Sequence, residues 1–323
     1  MKNQRKKGSD ATRTAVFRNC RRKWIAWLTA VLFILQPMAA AAQLAADPNA
    51  GANRPTIDAA ANGTPLVQIT SPSQAGVSHN KYIDFNVDPR GLILNNSRTN
   101  VQTQLGGYVA GNPFLANGSA RVILNEVTSS NSSFLRGYTE VAGQRAEVVI
   151  ANPNGITCDG CGFINASRGT LTTGTPVFGG AGSLEAFRVT GGSIDIRGAG
   201  LDASMADQVD LISRAVRINA EVWGRNLNVI TGANRVQYAD LDVQVIPGEG
   251  DRPTVSLDVA LLGGMYADKI RLIGTEAGLG VNSLGTIAAQ NGDLTISQEG
   301  RVMLAEHLRR GPDGHRGRRG IQQ

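Results

Sequence analysis

From Leu66 onward the chain is written in short runs that stop before a helix can close: LVQI at 66–69, YIDFNV at 82–87, VILNEV at 122–127 and EVVI at 147–150. Gly, Pro, Asn or Ser, the residues that supply turns, stand within a few residues of the ends of each run. No window of ten or more residues sustains a helical period. Beyond residue 180 a looser repetition appears, in SIDIR (193–197), QVDLIS (208–213), AVRIN (215–219), NLNVIT (226–231), KIRLIG (269–274) and DLTIS (293–297). Strands of about five residues that turn every seven to ten, with no helices between them, fit the coils of a parallel β-helix with rungs of about 20 residues. The same strands could form a β-sandwich of antiparallel hairpins, and the repetition favours the solenoid. Residues 203–215 have room for a helical turn, although 209–212 reads better as strand.

Composition agrees. Gly reaches 39 of 323 residues and aromatics only 5%, which suits many tight turns and short strands. A solenoid exposes unpaired backbone and apolar core at its first rung, so a cap is required, and the strands of 66–94 are placed to provide it. The expected fold is all-β: a parallel β-helix, a single-stranded solenoid, with an N-terminal β cap.

The formal charge of +6 is a property of the two ends. Residues 1–42 hold nine Lys/Arg against one Asp, and residues 301–323 hold six Arg against Glu306 and Asp313. Between them, 17 basic side chains face 23 acidic ones, a net of −6. A nucleic-acid binder needs a basic patch interleaved with aromatics in its folded body, and this body has none.

The N-terminus has the logic of export. A basic stretch at 2–23 precedes the apolar run WIAWLTAVLFIL at 24–35, and small residues at 38–42 precede Gln43. This is the pattern of a signal peptide cleaved near Ala42. Twelve apolar residues fall short of the roughly 20 that span a bilayer, so no integral membrane anchor is expected after cleavage. The organisation expected is therefore a signal peptide at 1–42, a flexible segment at 43–65, the β-helix at 66–305, and a basic disordered tail at 306–323. That tail (EHLRRGPDGHRGRRGIQQ) has almost no apolar content, and it reads as the mark of a truncation or frame-shift, with a genuine basic tail as the alternative.

Cys20 leaves with the signal peptide, and the remaining pair, Cys158 and Cys161, would serve as a redox site, a metal half-site or a structural staple. A zinc site needs about four ligands, and His79 is the one other soft ligand in the body of the chain. A redox pair wants a helix start in an α/β setting. A structural disulfide is the favoured reading, with no metal or cofactor expected. Catalytic patterns are missing: no GxSxG surrounds a serine, no phosphate-cradling GxxxxGK is present, and His79 would be the sole histidine available. His79 reads as a turn residue or a satisfied polar group. The carboxylate pairs Asp202/Asp207 and Asp240/Asp242 evoke β-helical polysaccharide hydrolases, yet Asp is also an ordinary turn residue.

Two turn motifs stand out. Asn152, Pro153, Asn154, Gly155 and Ile156 spell NPNGI, and forty residues earlier Asn112, Pro113, Phe114 and Leu115 spell NPFL. Taken alone, each is a turn: Pro presets φ, and Asn-Gly supplies positive φ. In order along the chain they stand with GVSHN (76–80), GLILNN (91–96), GYTEVAG (137–143), TCDGCGFIN (157–165), LTTG (171–174), GANRV (232–236) and LGGMYA (262–267). This series resembles the two-partner-secretion domain of filamentous haemagglutinins, large haemolysins and contact-dependent growth-inhibition toxins, over residues 60–300, and the resemblance implies a right-handed parallel β-helix with an N-terminal β cap and extra-helical β elements. Phe114 departs from the resemblance, standing where the family has a second Asn.

The resemblance implies a module that addresses an exoprotein to an outer-membrane transporter of a Gram-negative bacterium, through that transporter's periplasmic polypeptide-transport-associated domains, and that nucleates β-helix folding at the cell surface. It implies a parent that is an adhesin, haemagglutinin or growth-inhibition toxin, which would meet host or target-cell receptors. The motif residues 112–115 and 152–156 are the expected secretion determinants. Two other classes are a surface carbohydrate- or protein-binding adhesin module and a β-helical polysaccharide-active enzyme.

Overall fold

The computed structural model describes residues 44–304 and the backbone of 308–310. The signal peptide expected at 1–42 lies outside the described residues, as does most of the tail.

The chain visits three sheets in a fixed cycle. A representative rung runs through Ala146–Ala151 in the first sheet, Ile156–Cys158 in the second and Cys161–Ile164 in the third, then returns to the first at Ala166–Thr172. Among the described residues the three sheets hold nine, seven and ten strands. Within the solenoid every ladder is parallel: Val148 lies between Ile123 and Gly169, Ile156 between Ser133 and Ile194, and Thr139 between Leu92 and Phe163. Parallel neighbours joined by a crossover take the right-handed path, which gives a right-handed β-helix and excludes the sandwich. Rung length varies, because the corners absorb residues. Asn228 bonds to Asp210 one rung below across 18 residues, and Asn282 to Asp258 across 24.

Alternation fills the lumen. Val148 and Ile150, Val209 and Leu211, Leu227 and Val229, and Ile270 and Leu272 point inward and stack with Ile194, Val216, Val222 and Met265 from the other sheets. Each such side chain contributes about 1.5–3 kcal/mol when fully removed from water. The first sheet is also buried on its outer face, which is why its strands read VVI, LI and VI rather than strictly alternating. The cover is an antiparallel extra-helical sheet of Thr175–Phe178, Leu184–Val189, Asn234–Gln237 and Val243–Val245. A hairpin, Val101–Thr103 with Gly107–Val109, covers the start of the third sheet, held by buried Glu140, whose carboxylate accepts the Gln104 and Leu105 N–H groups at 2.7 and 2.8 Å.

Three expectations are corrected. Residues 43–65 are not a flexible segment over their described part. Leu44–Ala46 runs antiparallel to Val77–Phe85, and Thr56–Ala59 antiparallel to Pro65–Gln68, so these strands form the cap. The strands of 66–94 are the first rung itself: Leu66 pairs in parallel with Ile93, and Leu92–Asn96 with Tyr138–Gly143. The stretch 43–65 reads as disordered because it carries few apolar residues, but a cap needs backbone groups for the open edge and few anchors, here Leu44 and Ile57. Finally, Leu308–Arg310, inside the tail expected to lack structure, pairs in parallel with Thr286–Ala289 and continues the third sheet. The stretch 209–212, read as strand, lies within Gln208–Ser213, a strand of the first sheet.

Candidate functional site: two asparagine-clamped corners

NPNGI makes the corner between the first and second sheets. Asn152 is wholly buried at the end of Ala146–Ala151. Its Nδ2 donates to Asn131 O and Ser133 Oγ, both at 2.9 Å, and its Oδ1 accepts the Asn154 N–H at 3.0 Å and Asn154 Nδ2 at 3.2 Å. Its backbone N–H donates to Thr172 O in the rung above, at 2.9 Å. One residue therefore ties three consecutive rungs. Pro153 supplies a preset φ where no donor is needed. The Gly155 N–H closes the turn on Asn152 O at 3.1 Å, and Gly155 has φ +107°, a conformation only glycine adopts without strain. Ile156 then enters the core between Ser133 and Ile194. Asn154 is exposed, and its Nδ2 donates to Ser129 O at 2.7 Å.

NPFL repeats the device beside the first rung. Asn112 is buried; its Nδ2 donates to Ile69 O and Asn95 O, both at 2.9 Å, and its Oδ1 accepts the Phe114 N–H at 2.9 Å, capping the short 3-10 turn Pro113–Leu115. Leu115 is buried in the main core, whereas Phe114 is 44% exposed. The substitution at Phe114 leaves the clamp intact, because the clamp uses that residue's backbone and not its side chain.

A further set of asparagines lies within GVSHN, GLILNN and VILNEV. Asn80, Asn95, Asn96 and Asn125 are fully buried. Asn80 Oδ1 accepts the Thr70 N–H and its Nδ2 reaches Leu124 O; Asn96 joins Ala120 and Gln144; Asn125 Nδ2 donates to Val149 O at 3.2 Å and its Oδ1 accepts from Tyr82 Oη at 3.1 Å. Burial holds the Tyr82 hydroxyl far above its ordinary titration range, so it remains a donor. The available signal was an Asn inside an apolar strand run, as in VILNEV, where β-propensity disfavours it. Asn80, Asn96 and Asn125 thereby brace adjacent strands through backbone carbonyls, Leu124 O and Val149 O within strands and Ala120 O and Gln144 O outside them.

Cys158 and Cys161 are joined by a disulfide across the next corner, between the second and third sheets, with Cα atoms 5.4 Å apart. His79 lies within Val77–Phe85, not in a turn; its Nε2 is 2.7 Å from Glu126 Oε2 and its ring 4.8 Å from that of Phe178. The carboxylate pairs are separately engaged. Asp202 accepts from Ser204 and from Tyr138 Oη, Asp207 binds Arg145, and Asp240 accepts the Asp242 N–H in a turn. Among the described residues no group of three or more His, Cys, Asp or Glu side chains is gathered as a metal site requires.

The parallel solenoid, its antiparallel cap and its clamped corners define a class of protein: a capped parallel β-helix. The sequence profile of the TPS secretion domain, the two-partner-secretion domain, matches residues 42–304, and the chain belongs to that family. It is 50% identical over 286 residues to the tRNA nuclease CdiA of Escherichia coli (strain STEC_O31), covering 88% of this chain and 9% of that protein. It is 53% identical over 268 residues to the toxin CdiA of Yersinia pestis, covering 82% of this chain and 8% of that one. The chain thus spans less than a tenth of these relatives' length. Among solved structures it resembles the filamentous hemagglutinin secretion domain with a TM-score of 0.73 and 30% identity, over 84% of this chain and 97% of that one. The chain is a secretion domain of an exported protein of this kind, bound for the cell surface of a Gram-negative bacterium.

Proposed function

We propose that the chain is a non-enzymatic address and folding nucleus: it is received, unfolded, by the periplasmic polypeptide-transport-associated domains of an outer-membrane transporter, and folds outside. The signal peptide at 1–42 delivers it to the periplasm. The observation that carries the reading is the burial of the motif side chains. Asn112 and Asn152 make every one of their contacts inside the folded chain, so in the folded domain they have no surface to offer a partner. Asn112, Pro113, Phe114 and Leu115, with Asn152, Pro153, Asn154, Gly155 and Ile156, act by making the first corners close, and each stacked rung then disfavours back-sliding without an energy source. The Cys158–Cys161 disulfide, three residues apart in sequence, pre-forms the following corner in the oxidising periplasm. The parent protein is a contact-dependent growth-inhibition toxin or haemagglutinin, and receptor binding belongs to its further length.

The test is secretion with and without the partner transporter, using an Asn112→Ala, Asn152→Ala variant. Accumulation in the periplasm, or release of protease-sensitive chain, is the expected result. Normal release of a chain whose folding is measurably impaired would overturn the coupling.

A further inference from the structure

The extra-helical sheet is assembled from two excursions that leave the solenoid at different rungs. Leu184–Val189 pairs antiparallel with Asn234–Gln237, Val189 opposite Asn234, although the first-sheet strands Gln208–Ser213 and Asn226–Thr231 lie between them in the chain. Its underside, Phe187 and Val236, rests on an outward row of Val122, Leu124, Val149, Ile212 and Ile230 from successive first-sheet strands. Its first hairpin also reaches back to the first rung, at the connection between Pro65–Gln68 and Val77–Phe85. Ser73 Oγ donates to Gly182 O at 3.0 Å, across 109 residues, and the Ala75 N–H to Ala181 O at 3.2 Å.

Beneath the sheet lies a buried polar network. Asp210, fully buried, accepts from Arg168 Nε at 2.5 Å, Asn228 Nδ2 at 2.8 Å, Gln208 Nε2 at 2.9 Å and Thr170 Oγ1 at 3.1 Å. Arg168 Nη1 donates to Tyr238 O at 2.7 Å, and its guanidinium lies 4.4 Å from the Tyr238 ring centroid. The Tyr238 hydroxyl bonds to Glu147. Glu147, Arg168, Asp210 and Asn228 come from four consecutive first-sheet strands. Tyr238, just beyond Asn234–Gln237, closes the network from outside.

We propose that the extra-helical sheet is a strap that closes last, over rungs already in register, and that the Arg168–Asp210 network is the gauge of that register. The row on which the strap lies does not exist until the rungs have stacked. The two excursions meet only when the strands between them have folded, because the loop-closure entropy is otherwise unrewarded. A one-residue slip of Ala166–Thr172 or Gln208–Ser213 turns that strand's outward residues inward, setting Arg168 or Asp210 against the apolar lumen. A buried charge that loses its partner is strongly destabilising, so a slipped stack cannot accept the strap. The strap is a property of the chain itself and needs no transporter, so it stands or falls apart from the secretion reading.

Refolding of the purified chain from denaturant, followed by pulsed hydrogen exchange, tests it. Amides of Gln208–Ser213 and Asn226–Thr231 should gain protection in an earlier phase than those of Leu184–Val189 and Asn234–Gln237. Tyr238→Phe should raise the unfolding rate about tenfold and Arg168→Met about a hundredfold, each leaving the early refolding phase within about twofold of the parent. Simultaneous protection of both sets, or variants that slow the early phase in proportion to the stability lost, would overturn the proposal. Should Arg168→Met fail to fold, the order of protection in the unaltered chain and the Tyr238→Phe rates still decide the matter.

Discussion

Replacing Asn152 with Ala removes four hydrogen bonds from one wholly buried side chain: two donated, to Asn131 O and Ser133 Oγ, and two accepted, from the backbone and side chain of Asn154. The bond from Asn154 Nδ2 counts for little, because that group is exposed and keeps Ser129 O. The other three, at about 1 kcal/mol net each, put the loss near 3 kcal/mol. Asn112→Ala should cost about the same, since it too donates twice and accepts a backbone N–H once. Asn152→Asp is the sharper probe. It keeps the shape but removes both donors and sets a buried carboxylate against Asn131 O, so at neutral pH it should cost more than Ala. Acidification that protonates the carboxylate restores one donor and should narrow the gap. The assay is urea unfolding followed by circular dichroism, with the slope checked for constancy. An Asn152→Ala loss below about 0.5 kcal/mol, or an Asp variant as stable as the parent, would refute the clamp, since neither is compatible with three working bonds at a dry site.

Phe114→Asn should leave stability and export unchanged, because the Phe114 side chain is exposed and only its N–H enters the clamp; a change above about 1 kcal/mol would show the ring has a role of its own. Replacing Cys158 and Cys161 together with Ser should lower stability by about 2 kcal/mol, the loop-entropy value for so short a loop, while export continues; loss of export would make the disulfide more than a staple. The two Glu276 oxygens accept from Arg214 at 2.8 and 3.0 Å, and this pairing, with Arg252 nearby, holds the Glu276 carboxyl below its usual range. A carboxyl lowered by folding contributes stability above its unfolded pKa and loses it as pH falls through the folded one. Stability should therefore decline on acidification through and below the ordinary carboxylate range, less steeply in Glu276→Gln; parallel pH profiles for the two chains would exclude this contribution.

Much of the solenoid was legible because its signals are local. Alternation in QVDLIS and NLNVIT places Val209, Leu211, Leu227 and Val229 inward without knowledge of any partner, and Asn-Pro and Asn-Gly mark corners by backbone geometry alone. The need for a cap is legible but its location is not, because Leu44–Ala46 and Thr56–Ala59 contribute backbone hydrogen bonds to an edge, and such bonding leaves little trace in side-chain pattern. His79 was read near a turn because GVSHN opens with glycine, yet the strand begins at Val77, one residue after it.

By itself, then, the sequence determined the all-β class, the positions of the corners and the run of motifs that marks the family, since each depends on neighbours in the chain. What only the tertiary structure decided is which polar residues are clamps. Asn125, Asp210 and Arg168 look like solvated strand residues until partners 18 to 70 residues away are brought against them. The reason is that in a solenoid a side chain's environment is set by the rungs above and below and by whatever covers the outer face. Spacing along one rung does not encode that environment.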